Sequence, residues 1–201
     1  MNWASCAECY ASFMHAVAPP QVFGAPARRM SRAEYERLVG LGFFERERVE
    51  LIHGMVVRMA PIGPPHSQVL TRLTKRFVLA LGDRAATRIQ LPVVAWDESE
   101  PQPDVAIVPE RSYADAHPEE AFLVVEVAES SLEYDRDTKA PLYAASRVAE
   151  YWIVDVAGRA IEVYSKPADG SFTSVQRFNV GDVVNVGAFP DVAIAVRDLF
   201  D

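Results

Sequence analysis

The run Phe122-Leu-Val-Val-Glu126-Val-Ala128 decides how the rest of the chain is read. Six of its seven residues are apolar and three are valines, the composition of a strand covered on both faces. Glu126 sits inside it, where an ionised carboxylate costs several kcal/mol unless something compensates it. Upstream, Pro103-Asp104 opens a second short apolar strand, Val105-Ala-Ile-Val108, and downstream Lys139 follows after a short step. Two acids on adjacent strands with a lysine nearby can hold a divalent cation and activate a water.

Farther out, Ser31 followed by Glu34 is a capping box, with Tyr35, Leu38 and Val39 as the apolar face of a short helix. Arg48 to Met59 reads as a hairpin turning at His53-Gly54, with Glu50 in its first arm. After the loop Pro61-Ile-Gly-Pro-Pro65, the spacing of Val69, Leu70, Leu73, Phe77 and Leu81 predicts a helix from His66 that ends at Gly82. Arg72, Lys75 and Arg76 fall on its opposite face. Ile89 to Trp96 reads as a strand, and Asp135 to Arg147 as one helix whose Pro141 is tolerated if Thr138 caps it. Strands follow at Tyr151–Val154, Ala160–Tyr164 and Phe172–Phe178, with turns at Gly158 and Asp169-Gly170, then Val183–Val186 and Val192–Val196. Mixed strands and helices with a late run of hairpins indicate an α/β fold built on a mixed sheet.

Composition bounds the answer. Half of the 201 residues are hydrophobic, enough for one full core, so residues 30–201 are read as a single domain. Residues 1–29, broken by Pro19-Pro20 and Pro26, read as a poorly ordered extension, with Met14 and Met30 as alternative starts. Its Cys6-Ala-Glu-Cys9 pair has only His15 near it, short of the four ligands of a zinc site, and reads as incidental. No apolar run reaches the roughly 18 residues of a membrane span, and Met1-Asn-Trp-Ala-Ser lacks a basic n-region before an apolar one. A cytoplasmic location is therefore expected.

Net charge is −8, against a simple basic nucleic-acid binder. Its distribution is uneven. Ser67 to Ala95 holds five bases and one acid, whereas Trp96 to Asp137 holds thirteen acids and two bases. A basic flank beside an acidic centre suits a metal site that receives a polyanion, and equally an ordinary protein with uneven surface charge.

Asp104 and Glu126 are hard oxygen donors, suited to Mg²⁺ or Mn²⁺. Lys139 would hold the nucleophile or neutralise the charge of the transition state. Glu50 could add a ligand from the hairpin. Paired acids also serve glycosidases, but the lysine and the basic flank fit that chemistry poorly.

The stretches Glu100-Pro-Gln-Pro-Asp104-Val-Ala-Ile-Val108, Leu123-Val-Val-Glu126-Val-Ala-Glu-Ser-Ser131, Tyr134-Asp-Arg136 with Lys139, Pro141-Leu-Tyr143, and Glu150-Tyr-Trp-Ile-Val-Asp155 resemble the Uma-type family of restriction endonucleases, within the PD-(D/E)XK nuclease superfamily. Glu50-Leu-Ile-His-Gly-Met55 and His66 match as well, and the likeness runs from about Met30 to the C-terminus. It implies a restriction-endonuclease-like core and a Mg²⁺- or Mn²⁺-dependent endonuclease acting on DNA. Asp104, Glu126 and Glu50 would be its metal ligands, and Lys139 the motif lysine. The simplest superfamily pattern places that lysine two residues after the acid, where this chain has Ala128. His66, Arg72, Lys75 and Arg76 are candidates for touching substrate. A nuclease fold kept as a catalytically idle nucleic-acid-binding or regulatory module is the alternative. Cutting both strands with one site per chain would favour a homodimer, and Tyr151, Trp152 and Tyr164 offer either an apolar surface for it or core packing.

Overall fold

Local sequence chemistry sets most element boundaries in the computed structural model, which describes residues 21–22 and 25–201. Strand β1 (Gln21–Val22) pairs with β2 (Ala25–Pro26). Helix α1 (Arg32–Gly40) starts with the predicted reciprocal cap: Ser31 Oγ accepts the Glu34 N–H at 3.3 Å, and Glu34 Oε2 accepts the Ser31 N–H at 2.9 Å. The hairpin of β3 (Val49–Ile52) and β4 (Met55–Arg58) turns at His53-Gly54, whose φ values of 50° and 75° suit a two-residue turn. A Cβ at Gly54 would stand 2.5 Å from Arg29 Cβ, so only glycine fits there.

Helix α2 (Pro64–Leu81) begins two residues before His66, because proline is favoured in a first turn that needs no N–H donors. Strands β5 (Ala86–Ile89), β6 (Val105–Val108), β7 (Glu120–Ala121) and β8 (Leu123–Ala128) follow. Next come a short turn α3 (Leu132–Tyr134), a π-helical turn over Asp135–Lys139, and α4 (Ala140–Ala145). Strands β9 (Arg147–Val148), β10 (Glu150–Asp155), β11 (Ala160–Ala168), β12 (Ser171–Asn179), β13 (Val183–Val186) and β14 (Phe189–Ala195) lead to α5 (Arg197–Phe200).

Six strands form the central sheet in the order β12-β11-β10-β8-β6-β5. Strands β8 and β10 run parallel and the other neighbours antiparallel, giving the mixed sheet expected. A parallel pair needs a long crossover, and α3, the π turn and α4 provide it.

The two faces of β8 enter two cores. Leu123, Val125 and Val127 pack with Leu73 and Phe77 of α2 and with the β13–β14 hairpin. Phe77 is fully buried with its ring 6.1 Å from that of Trp152, and burying such a side chain contributes about 1.5–3 kcal/mol. Val124 and Ala128 pack on the other side with Ala140, Tyr143 and Tyr151. Strand period places Glu126 on this second face, beneath the crossover.

Three expectations are corrected: a strand, a helix and its cap. The strand read at Ile89–Trp96 lies earlier, at β5: Gln90 takes a left-handed φ of 51° and Pro92 has no N–H for a ladder. The single helix read at Asp135–Arg147 is three pieces, and Thr138 is not its cap, because the chain enters α4 already helical from the π turn. Residues Arg147–Val148 form β9 instead. Of the two readings open for the aromatics, core packing holds: Tyr151 and Trp152 are fully buried and Tyr164 is half-buried. The Cys6/Cys9 reading, and that of the extension up to residue 20, lie outside the described residues. No helix among the described residues is long and apolar enough to cross a membrane.

Candidate active site

Sheet register brings the two strand acids together. Val105 pairs with Val125 and Ala106 with Val124 across the antiparallel β6–β8 ladder. One step further along this register Asp104 stands opposite Glu126. Asp104 is held on both oxygens: Oδ2 accepts the Val127 N–H at 2.8 Å, and Oδ1 accepts Gln90 Nε2 at 3.1 Å and meets His66 Nε2 at 3.0 Å. His66 reaches it from the first turn of α2.

Glu126, only 5% exposed, accepts two hydrogen bonds on Oε1, from Lys139 Nζ at 2.8 Å and Tyr143 Oη at 2.9 Å. Lys139, 4% exposed, also lies 3.2 Å from Glu50 Oε2, which accepts the Gln102 N–H at 3.2 Å. Lys139 ends a π-helical turn, a distortion common at functional sites, in which Asp135 and Lys139 are buried, Arg136 is half-buried and Asp137 is exposed. The Tyr134 ring lies 5.8 Å from Lys139 Nζ.

Glu50, His66, Gln90, Asp104, Glu126, Tyr134, Asp135 and Lys139 line one cleft of about 380 Å³, together with Arg48, Arg58, Glu129, Ser131 and the loop Met59–Ile62, while Tyr143 supports Glu126 from behind it. Of the predicted residues, Asp104, Glu126, Lys139, Glu50 and His66 meet there. Arg72, Lys75 and Arg76 do not line it: Arg76 pairs with Asp198 of α5 at 2.9 Å, and Lys75 sits beside exposed Val78 and Leu79. The cleft's arginines are Arg48 and Arg58, the latter paired with Glu47 at 2.8 Å.

Sequence reading missed Asp135, Gln90 and Tyr143. Asp135 is buried and accepts a hydrogen bond from Ser131 Oγ at 2.6 Å. A clue to two of them lay in the spacing, since Asp135, Lys139 and Tyr143 recur every four residues and share a helical face.

Charge in the cleft is unbalanced. Four buried acids, Glu50, Asp104, Glu126 and Asp135, face one buried amine, Lys139. Burial pushes the Glu126 carboxyl well above the usual range; Lys139 opposes this, and Asp135, Asp104 and Glu50 add to it. Asp135 is likewise raised, chiefly by burial. Burial would depress the Lys139 amine, but Glu126, Glu50 and Asp135 outweigh it, so the side chain stays an ammonium. Burial would also raise Asp104, yet the His66, Val127 and Gln90 contacts bring it below the ordinary value. His66 mirrors it: burial lowers the imidazole, and Asp104 with Glu129 more than reverses this.

Among the described residues, no group of three or more His, Cys, Asp or Glu side chains is placed to cage a metal ion. The opposed pair Asp104 and Glu126 suits Mg²⁺ nonetheless, because that ion takes one or two carboxylates and keeps several waters. The surplus of buried negative charge is the observation that fits a cation here.

The Uma2 family, described as "Putative restriction endonuclease", matches residues 32–197. The chain belongs to the Uma2 family. The cleft residues from Glu50 to Lys139 all fall within the Uma2 match. A solved structure from Anabaena variabilis ATCC 29413, described as "a putative nuclease belonging to DUF820", shares the fold with a TM-score of 0.69. It is 15% identical, and the alignment covers 85% of this chain and 97% of that one. No curated protein matches this chain.

Proposed function

We propose that this protein is a metal-dependent endonuclease hydrolysing DNA phosphodiester bonds. The observation that carries the reading is the meeting of the Asp104–Glu126 pair with Lys139, 2.8 Å from Glu126, in one cleft. Family membership supports nuclease chemistry, and the acidic interior supports a cation.

A divalent cation bound by Asp104 and Glu126 would lower the pKa of a water and polarise the phosphoryl oxygen. The chain's own residues do the rest. His66, Gln90 and the Val127 N–H hold Asp104 in one orientation. Glu50 anchors the Lys139 ammonium, which orients the attacking water and offsets the negative charge that develops on the phosphoryl oxygens. The water gives up a proton to solvent as its oxygen bonds to phosphorus, one P–O ester bond breaks, and the departing oxygen takes a proton from solvent. Arg48 and Arg58 at the cleft wall bind flanking phosphates.

The test is nicking of a supercoiled plasmid with Mg²⁺ or Mn²⁺ by the wild type and by Asp104→Ala, Glu126→Ala and Lys139→Ala. Wild-type nicking lost in all three is expected, and cleavage surviving in Glu126→Ala overturns the mechanism. The overall charge of −8 favours the second reading, a catalytically idle module. Binding of Mn²⁺ without any cleavage would support it.

A further inference from the structure

Glu126 is gripped by one oxygen only. Oε1 receives both Lys139 Nζ at 2.8 Å and Tyr143 Oη at 2.9 Å, and neither donor bonds Oε2. Two donors occupy both lone-pair positions of that oxygen. The grip is rigid, because Tyr143 is fully buried, its ring lies 4.9 Å from that of Tyr151, and it sits four residues after Lys139 on the same helical face.

A carboxylate held in this way can offer a cation one oxygen. That constraint discriminates between ions. Ca²⁺ takes 6–8 oxygens in flexible geometry and accepts bidentate carboxylates, whereas Mg²⁺ demands a near-octahedral shell of single oxygens and waters, roughly 0.3–0.5 Å tighter.

We infer that Tyr143 is a positioning residue which, with Lys139, makes Glu126 a one-oxygen ligand and so selects a small octahedral divalent cation over Ca²⁺. The inference deepens the metal-dependent reading of the same cleft and rests on it. Tyr143 touches neither substrate nor cation in this scheme; it acts through Glu126.

Tyr151 supplies the control. It is equally buried, but its hydroxyl donates to the Asp135 carbonyl oxygen at 3.3 Å and makes no bond to Glu126. Calorimetric titration of Mn²⁺ and of Ca²⁺ is carried out on the wild type, Tyr143→Phe and Tyr151→Phe, each of which keeps its ring. The wild type is expected to prefer Mn²⁺. Tyr143→Phe should lose about 10–100-fold in Mn²⁺ affinity, the usual effect of removing a partner that orients a ligand, while Ca²⁺ affinity holds or rises. Tyr151→Phe should keep the wild-type ratio even if it melts earlier.

An unchanged ratio in Tyr143→Phe, or an equal change in Tyr151→Phe, overturns the inference. So does a wild type that binds Ca²⁺ as well as Mn²⁺, a measurement that needs no variant to fold. A wild type that binds neither ion removes the metal reading as well. One that shows the predicted ratios but never nicks DNA supports the inference and removes only the catalytic part of the proposed function.

Discussion

Lys139 Nζ stands 2.8 Å from Glu126 Oε1 although the two residues are 13 positions apart and on different elements. Position 128, two residues after the acid and on its own strand face, is an alanine buried among Val124, Ala140 and Tyr143. The ammonium that meets this acid therefore comes from the crossover and not from the acid's own strand. Its location on the π turn also gives it a second carboxylate, Glu50.

Removing that ammonium leaves two buried carboxylates without their shared counter-charge. Lys139→Met is expected to cost about 3–5 kcal/mol, the usual result of breaking a buried pair on one side. Urea denaturation measures it, and added Mn²⁺ should restore part of the loss in the variant. A variant as stable as the wild type would mean that Glu126 is already neutral in the fold.

The His66–Asp104 contact predicts a pH window. His66 is raised above 6.5, so its contribution is complete below that value and fades as pH climbs through the folded-state pKa. Asp104 is lowered below 3.8, so its contribution is complete above 3.8 and fades as pH falls through the folded-state pKa. The stability difference between wild type and His66→Ala should therefore be larger at pH 5.5 than at pH 9. Equal differences would contradict the pairing.

Glu100 should act in the opposite sense to an ordinary ion pair. Burial, with the charge and hydrogen bond of Glu36, pushes its carboxyl up to about 7, against the pull of Arg32. A folded-state pKa above the unfolded 4.5 means that its stabilisation is complete below 4.5 and is lost as pH rises through about 7. Glu100→Gln removes the titration. Its stability relative to wild type should rise from pH 5 to pH 8.5, and parallel curves by chemical denaturation would refute this.

The cleft bases, not the helix bases, should bind the substrate backbone. Arg48→Ala and Arg58→Ala are each expected to raise KM and to reduce the slope of log affinity against log salt by about 1. Lys75→Ala should change neither. A loss confined to Lys75→Ala would move the nucleic acid onto α2.

The sequence by itself determined the elements whose signals are local. Continuous apolar runs identified β6 and β8, the capping box identified α1, and His53-Gly54 and Asp169-Gly170 placed two hairpin turns, because each depends on a few neighbouring residues. Burial of Glu126 was legible for the same reason: a carboxylate inside an apolar run has few other places to go. Sequence and family resemblance already grouped these acids with Lys139, Glu50 and His66; tertiary structure decided which atoms touch and added Gln90, Asp135 and Tyr143. The crossover breaks at a π turn that no helical period announces, and only the packing of the crossover on the sheet brings Lys139 and Tyr143 to the same oxygen of Glu126. It also decided that Arg76 faces Asp198 rather than the cleft, since both faces of α2 meet neighbours that lie far away in sequence. Contacts between distant segments follow from how the sheet and its crossover pack, and residue type and spacing carry little of that information.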